Sequence, residues 1–249
     1  MSMKNIKLGS YSKLATILFM SRIFVLTIGK ISSLISVYDH STKLLKQNFL
    51  NYLLRWDALY FHEIAQNGYT TIQQSAFFPL YPFIVKIIAP KNIIPLAGIF
   101  LSNFLFILNG LLLYRLTNKY WGNFTIKRFA IVYCFYPTTI INSSFYSESL
   151  FFFLILLSLN LFKNFRILSY LLILLSCLCR INGILYSLIP VCDLSISGLF
   201  IFIFLISSCK FVIHIFQHHI FEIFGTKDSY YFVQTVLWNQ GFLKFYNFK

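Results

Sequence analysis

The sequence predicts an all-α fold: a multi-pass transmembrane helical bundle of about six spans, formed as one membrane domain over residues 1–249. The chain is 58% hydrophobic and only 11% charged, which lies far outside the usage of soluble globular domains. Six apolar runs approach the roughly 20 residues that a helix needs to cross the hydrocarbon core of a bilayer. Basic residues cluster between these runs, and no Gly/Ser-rich linker marks a second domain. Lipid is therefore the main solvent of this chain.

The apolar runs predict the spans in chain order. They cover residues 14–37, 93–116, 129–145, 149–162, 168–191 and 198–216. Short loops rich in Lys and Arg stay in the cytoplasm, and the basic residues occupy alternate connections. These residues are Lys4, Lys7 and Lys13, then Arg115, Lys119, Lys127 and Arg128, then Lys163 and Arg166. The amino terminus is therefore predicted to be cytoplasmic, and residues 38–92 to form a long lumenal first loop that contains interfacial helices.

Charge and cysteine content exclude two classes of function. The formal net charge of +14 would favour nucleic-acid binding in a soluble domain. Here the positive charges lie in short clusters beside apolar runs, so they are predicted to set membrane topology, with no nucleic-acid partner. The five cysteines lie in or beside apolar runs and lack the spacing of metal ligands. His214, His218 and His219 resemble a metal set by number alone, so no metal site is predicted.

The first loop contains an amphipathic segment with two acids, Asp57 and Glu63. Apolar side chains recur with helical spacing from Trp56 to Ala65, and a glycine follows. An interfacial helix that ends at Gly68 is therefore predicted. Asp57 falls in the first turn of this helix, where the helix dipole favours an acid. The spacing leaves open whether Asp57 stabilises the helix or takes part in chemistry.

Three other ionisable residues lie beside or inside apolar runs, where a charge is costly unless it is wet or paired. Glu148 stands at the lumenal mouth between the third and fourth spans, either as a first-turn helix acid or as part of a site. Arg22 and Arg180 interrupt spans one and five. Such cations face a bundle interior, a wet cavity or an anionic partner, which is a phosphate in an enzyme of lipid phosphates. The alternative is an arginine that binds carbonyl groups or extends to the membrane surface.

Five motifs, in order along the chain, resemble the signature of the PIG-V mannosyltransferase family. The motifs are Ser21-Arg22; Arg55-Trp56-Asp57-Ala58 with Ala76-Phe77-Phe78-Pro79 and Pro82; Tyr146-Ser147-Glu148 after Tyr136-Pro137; Arg180-Ile181-Asn182-Gly183; and Trp238-Asn239-Gln240-Gly241-Phe242-Leu243. Their number and order make the resemblance specific, and they cover most of the chain. Two features depart from the family pattern. Ile72 stands where relatives commonly have Glu, and the chain ends at Lys249, just after a motif that relatives continue with further spans, so a carboxyl-terminal truncation is expected.

The resemblance implies a GT-C type membrane glycosyltransferase of the endoplasmic reticulum. Such an enzyme takes mannose from dolichyl phosphate mannose and adds the second mannose, through an α-1,6 bond and with inversion, to a glycosylated phosphatidylinositol. This acceptor is the precursor of the glycosylphosphatidylinositol (GPI) anchor. The lipid donor is a substrate, and no cofactor is implied. The implied partners are membrane lipids and the two lipid substrates, with a small membrane subunit as a further candidate.

The resemblance also assigns roles to residues. A first-loop acid is catalytic in this family, which carries over to Asp57, whereas Glu63 corresponds to no family acid. An acceptor hydroxyl needs a carboxylate to take its proton, and a fixed cation stabilises the departing phosphate. Arg180 and Arg55 are the candidates for that cation. The residues expected to bind substrate are Arg55, Trp56, Glu148, Arg180, Asn182, Arg22 and Trp238.

Two functions from other classes remain open. A lipid transporter or scramblase would line a headgroup path with intramembrane arginines and would need no lumenal carboxylate. A noncatalytic subunit of a GPI mannosyltransferase complex would fit a chain without the family's final spans. The feature that separates an enzyme from these alternatives is a lumenal cavity, open to lipid, that Asp57 faces.

The last motif sets a condition on the topology. Six alternating spans would leave it in the cytoplasm, whereas the resemblance places it beside the active site. The fifth run is the weakest helix, because Arg180-Ile181-Asn182-Gly183 places a cation, a poor helix former and a glycine at mid-membrane. We therefore expect the chain to break there and residues 184–191 to return toward the cytoplasm as a half-helix, buried in protein or beside a wet cavity. Span six would then rise to the lumen and place Trp238 beside Asp57.

Overall fold

The computed structural model describes residues 8–35, 49–121, 125–193 and 195–240. Within these ranges the chain forms α-helices joined by shorter helical turns, with no β-strand. The α-helices are α1 (Leu8–Ile35), α2 (Asp57–Asn67), α3 (Leu80–Ile88), α4 (Ile94–Tyr120), α5 (Ile126–Cys134), α6 (Glu148–Leu161), α7 (Arg166–Cys179), α8 (Ile196–Phe224) and α9 (Ser229–Phe232). The all-α membrane bundle that the sequence predicts is confirmed. Residues 38–48 of the predicted first loop and residues 241–243 of the last motif lie outside the described ranges.

Three helices are long and apolar enough to cross a bilayer. They are α1, α4 and α8, with 28, 27 and 29 residues, and they confirm the first, second and sixth predicted spans. At 1.5 Å per residue each exceeds the thickness of the hydrocarbon core. Large apolar side chains on their outer faces are exposed, including Phe19 at 54%, Phe100 at 69% and Phe204 at 73%. Such faces fit contact with lipid.

The third predicted span, residues 129–145, is not one helix. Helix α5 ends at Cys134, and a tight helical segment, Pro137–Ser143, follows after a break. Pro137 has no backbone N–H and fixes its own φ, so the α-helix does not continue through it. This segment meets α6 at an angle of 99°, and the pair together could form one bent span. The described residues therefore contain three long spans and one bent candidate, together with the shorter apolar helix α7 and the segment that follows it.

The fifth predicted span breaks where the sequence indicates. Helix α7 ends at Cys179, and Arg180 takes an extended conformation with φ −156° and ψ 142°. The next segment, Ile181–Asp193, is a tight helix that packs back against α7 and against α8. Gly183 permits this return, because a Cβ atom there would lie 2.6 Å from the backbone nitrogen of Cys177. The predicted reversal is thus confirmed, and α8 runs back toward the end of the bundle at which α7 stops.

The helices pack in a sequence that places the first loop at one end. Helix α4 packs between α1 and α6, and α6 packs between α4 and α7. Tyr81 of α3 is fully buried and donates a hydrogen bond to the Gly98 carbonyl at 2.9 Å. The ring of Phe145 occupies the space that a side chain at Gly98 would need. These contacts fasten α3 and the start of α6 to the first turns of α4.

Helix α2 confirms the predicted amphipathic helix of the first loop. It ends at Gly68, whose φ of 78° lies in the region that favours glycine. Glu63, the second acid of α2, binds the helical turn that follows this helix. Gln74 of that turn is fully buried, and its Nε2 donates to Glu63 Oε2 at 3.0 Å. The Gln74 Oε1 atom accepts from the Thr70 backbone nitrogen at 2.7 Å. Glu63 therefore has a structural partner away from Asp57.

Candidate active site

A strained turn places Asp57 at the start of α2. The Ala58 N–H donates to the Arg55 carbonyl at 3.1 Å, which closes a four-residue turn. Within it Trp56 has φ 52° and ψ −123°, a conformation that normally requires glycine. Holding a non-glycine residue there costs on the order of 1–3 kcal/mol, and such strain is concentrated at functional sites. The turn directs Trp56 outward and makes Asp57 the first residue of the helix.

Asp57 faces a cavity of about 380 Å³, here called the Asp57 cavity. Its walls come from α2, from the first loop near Phe77, from the start of α6, from the break after α7 and from the segment that follows α8. The predicted site residues in its lining are Trp56, Asp57, Arg180, Asn182 and Trp238. Residues far apart in the sequence thus meet around one carboxylate. Trp238 lines the same cavity as Asp57, as the topology argument predicts.

Arg180 is held at this cavity by the start of α6. Its Nη1 donates to Glu148 Oε1 at 2.5 Å and to the Ser147 hydroxyl oxygen at 3.3 Å. A charge-assisted hydrogen bond of this kind fixes the guanidinium more firmly than a neutral one would. Because Arg180 follows the last turn of α7, this contact also ties the helix break to α6. Glu148 therefore acts on the cavity through Arg180.

Asp57 and Arg180 are electrostatically linked. Asp57 is an exposed residue, yet the surrounding protein partly desolvates its carboxyl group and raises the pKa, while the Arg180 charge lowers that pKa. Desolvation is the larger effect, so the pKa of Asp57 lies above its ordinary value. A raised pKa brings a carboxylate closer to the range in which it is an effective base near neutral pH.

Aromatic rings form one wall of the Asp57 cavity. The rings of Tyr60 and Phe77 are stacked with centroids 4.9 Å apart. The Trp238 ring lies 5.9 Å from that of Phe77 and 6.5 Å from that of Tyr60. This cluster joins the first loop to the segment after α8. Its flat apolar faces beside a carboxylate and a guanidinium suit a ligand with both a ring and a charged group.

The sequence as a whole matches the family described as Mannosyltransferase (PIG-V), over residues 10–225. The chain belongs to this family. It is similar to proteins named GPI mannosyltransferase 2, at 33% identity over 153 residues in Drosophila pseudoobscura pseudoobscura and 32% over 187 residues in Schizosaccharomyces pombe (strain 972 / ATCC 24843). These alignments cover 55% and 67% of this chain but only 34% and 40% of the relatives.

The Drosophila melanogaster protein of the same name is 33% identical over 156 residues, which is 53% of this chain and 33% of that relative. The chain therefore matches well under half the length of each of these three relatives. No solved structure is significantly similar to it. The PIG-V resemblance of the sequence motifs is confirmed at the level of the family.

Arg55 of this PIG-V chain faces a second cavity, of about 410 Å³, here called the Arg55 cavity. It lies between the end of α1, the turn before α2 and the Pro137–Ser143 segment. Trp56 lines both cavities, and Tyr146 lines the Arg55 cavity. The Tyr146 hydroxyl donates to the Arg55 carbonyl at 3.2 Å. Two adjacent cavities thus contain five of the predicted substrate-binding residues, whereas Glu148 and Arg22 line neither cavity.

Arg22 lies apart from both cavities, and its predicted contact with substrate has no support from the geometry. Its side chain is only 2% exposed. The guanidinium donates to the Ser143 hydroxyl at 2.8 Å, to the Thr139 hydroxyl at 2.7 Å and to the Thr139 carbonyl at 3.2 Å. It also packs over the Phe106 ring at 3.5 Å. Arg22 instead secures the segment before α6 to α1 and α4.

Several lining residues of the Asp57 cavity had no assigned role in the sequence. Phe77 lies within a quoted first-loop motif and Tyr60 within the amphipathic segment that begins at Trp56, so their positions could have been proposed from the same region. Ser147 adjoins Glu148 in its motif. By contrast, Tyr230 and Gln234 come from α9 and the helical turn after it, and nothing in their local sequence distinguishes them.

Proposed function

We propose that this chain transfers mannose from dolichyl phosphate mannose to a GPI precursor in the membrane of the endoplasmic reticulum. The bond formed is the α-1,6 bond of the second mannose, and the configuration at the sugar's anomeric carbon is inverted. Membership of the PIG-V family and similarity to proteins named GPI mannosyltransferase 2 support the reaction class. No cofactor takes part, because the lipid-linked sugar is itself the activated substrate.

The observation that carries this proposal is the meeting of one carboxylate and one guanidinium at the Asp57 cavity. A sugar hydroxyl is a weak nucleophile at neutral pH and needs a base within hydrogen-bond reach. Asp57 accepts the proton of the acceptor hydroxyl while the oxygen of that hydroxyl bonds to the anomeric carbon of mannose. Desolvation supports this role, because it raises the pKa of Asp57 toward the working pH.

Arg180 serves the other half of the reaction. The bond between the anomeric carbon and the dolichyl phosphate oxygen breaks, and its electron pair stays on the phosphate. A fixed cation in a partly dehydrated cavity stabilises that developing charge without reorganising during the reaction. Glu148 and Ser147 hold Arg180 in place for this purpose. Attack from the face opposite the phosphate gives inversion.

The aromatic wall and Asn182 complete the proposed donor site. Tyr60, Phe77 and Trp238 present flat apolar surface on which a mannose ring packs. Asn182 follows Arg180 by two residues and lines the same cavity, where its amide can bind sugar hydroxyls. These contacts orient the donor so that its anomeric carbon faces the acceptor hydroxyl beside Asp57, while its phosphate lies beside Arg180.

The carboxylate favours an enzyme over a lipid transporter. A transporter path needs cations for lipid phosphates and has no use for a base, whereas Asp57 lines the cavity into which Arg180 projects. The strained turn before α2 supports the same conclusion, since it places the carboxylate there at an energetic cost.

The test is mannosyl transfer by the chain itself. Membranes from cells that lack the second GPI mannosyltransferase, with and without this chain, are given radiolabelled dolichyl phosphate mannose and a GPI precursor that carries one mannose. We expect a product with a second mannose only in membranes that contain the chain, and linkage analysis should give an α-1,6 bond. Absence of product, or a product with another linkage, would contradict the proposal.

A further inference from the structure

The Arg55 cavity is a separate compartment beside the Asp57 cavity. Gly29, Ser32 and Ser33 contribute one side of it from the end of α1. Isoleucines and a serine of the 140–144 region contribute the opposite side. Its volume of about 410 Å³ matches the scale of small-ligand sites. Asp57 and Arg180 do not line it, so it serves no direct step of the proposed chemistry.

Trp56 lies where the two compartments adjoin. It lines both cavities, and its side chain is 54% exposed. Its backbone is held in the strained conformation described above, while Tyr146 binds the carbonyl of the preceding residue. Backbone strain of this kind is concentrated at functional sites and ligand clamps. A ligand held in the Arg55 cavity would pass Trp56 to reach Asp57.

The chemistry of the two substrates assigns one to each compartment. In dolichyl phosphate mannose the phosphate is bonded directly to the reacting carbon, so it must lie with Asp57 and Arg180. In the acceptor the phosphate is separated from the reacting hydroxyl by a mannose, a glucosamine and an inositol. That phosphate therefore has to lie outside the Asp57 cavity, at some distance from the carboxylate.

We propose that the Arg55 cavity binds the inositol phosphate end of the acceptor lipid. This inference rests on the proposed function and extends it by naming the acceptor's binding site. Arg55 supplies a positive charge for the phosphate from the turn next to Asp57. Leu53 and Ile140 supply apolar surface for the adjoining glycerol and acyl chains.

Hydroxyl groups at the Arg55 cavity match a polyol. Tyr52 donates its proton to the Leu26 carbonyl at 3.0 Å, Ser33 to the Lys30 carbonyl at 2.7 Å and Ser144 to the Ile140 carbonyl at 2.9 Å. Each hydroxyl oxygen keeps lone pairs that can accept further hydrogen bonds. Inositol hydroxyls are donors of the matching kind, whereas the polyprenyl chain, the part of the donor that would extend beyond the Asp57 cavity, has none. This difference favours the acceptor over the donor as occupant.

Filling the cavity tests the assignment. Ser33→Trp places a large ring in the Arg55 cavity, and Ile31→Trp places the same ring on a 48% exposed position of the same helix turn that does not line the cavity. We expect Ser33→Trp to raise the KM for the acceptor by about tenfold or more with the donor KM unchanged, since tenfold corresponds to loss of about 1.4 kcal/mol of binding. Ile31→Trp should leave both values unchanged. A rise in the donor KM, or no rise in the acceptor KM, would overturn the proposal.

A second measurement does not depend on transfer. Phosphatidylinositol with a diazirine near its headgroup is photolysed with the wild-type chain and with Ser33→Trp in membranes. We expect label on peptides that contain residues 29–33 or 140–146 of the wild type, and loss of that label in the variant. Label elsewhere would exclude the inositol phosphate from this cavity. If the wild-type chain transfers no mannose but is labelled here, the proposed reaction fails while the binding site stands.

Discussion

Gly183 is the residue on which the return of the chain after α7 depends most directly. The segment Ile181–Asp193 folds back along α7, and the backbones approach closely where Gly183 meets the last turn of that helix. An added Cβ would lie 2.6 Å from the Cys177 backbone nitrogen and 2.7 Å from the Ser176 carbonyl carbon. We therefore predict that Gly183→Ala destabilises the protein and displaces Arg180, which lies three residues before it.

The size of this effect follows from the atoms involved. The neighbours are backbone atoms of a hydrogen-bonded helix, which cannot rotate away as the tip of a side chain can. Overpacking of this kind typically costs about 1–3 kcal/mol. For a chain of this size each kcal/mol lowers the melting temperature by roughly 2–4 °C. The activity should fall as well, because displacement of Arg180 weakens its contact with Glu148.

The assay compares Gly183→Ala with Gly9→Ala in detergent, by thermal unfolding followed on a sizing column. Gly9 lies in α1 with no heavy atom within 4 Å of the added Cβ, so alanine there should be neutral or stabilise by about 0.5–1 kcal/mol through reduced backbone entropy. We expect the Gly183 variant to unfold several degrees below the Gly9 variant. Equal melting temperatures would refute the close return of the chain after Arg180.

Substitutions of two arginines distinguish Arg180, which lines the Asp57 cavity, from Arg22, which stabilises the fold. Arg180→Gln should lower kcat/KM for the donor by about 10²-fold, as loss of a group that stabilises transition-state charge does, and Arg180→Lys should retain part of the activity. Arg180→Gln also removes the charge that lowers the pKa of Asp57, so the acidic limb of the pH–rate profile should move to higher pH; an unmoved limb would contradict the link between the two residues. Arg22→Met should lower the free energy of unfolding by about 1–3 kcal/mol, because the buried Ser143 hydroxyl and the partly buried Thr139 acceptors lose their donor. The KM values of Arg22→Met should match those of the wild type. A changed donor KM in the folded variant would show that Arg22 does contact the substrate.

The long spans could be predicted from the sequence because length and apolar composition alone determine them. Helices α1, α4 and α8 each coincide with a long apolar run that contains few charged residues. The break at Arg180 was also predictable, since a cation and a glycine interrupt the pattern together. The prediction of the third span as one helix was wrong. Hydropathy stays high through Pro137, but an α-helical backbone does not continue through that proline. At Pro137 the missing backbone N–H determined the structure, although the mean hydropathy of the run favoured one continuous span.

The candidate site could be predicted only in part. Asp57, Arg180 and Trp238 belong to motifs, and the break in the fifth run brings them to one end of the bundle. Arg22 gave the same signal as Arg180, a cation within an apolar run, but its partners lie 117 and 121 residues away. No local pattern shows which arginine meets a cavity and which meets protein hydroxyls.

If Asp57 is the base of a mannosyl transfer, a matched pair of amide substitutions on α2 should separate it from the other acid of that helix. Asp57→Asn and Glu63→Gln each replace one carboxylate on α2, but only Asp57 lines the cavity, whereas Glu63 binds Gln74. Both are compared with the wild type for transfer from radiolabelled dolichyl phosphate mannose at equal amounts of membrane-inserted protein. We predict that Asp57→Asn loses transfer by about 10²-fold or more, as for removal of a general base, and that Glu63→Gln transfers at a near-normal rate. Transfer by Asp57→Asn at the rate of the Glu63 variant would contradict this prediction.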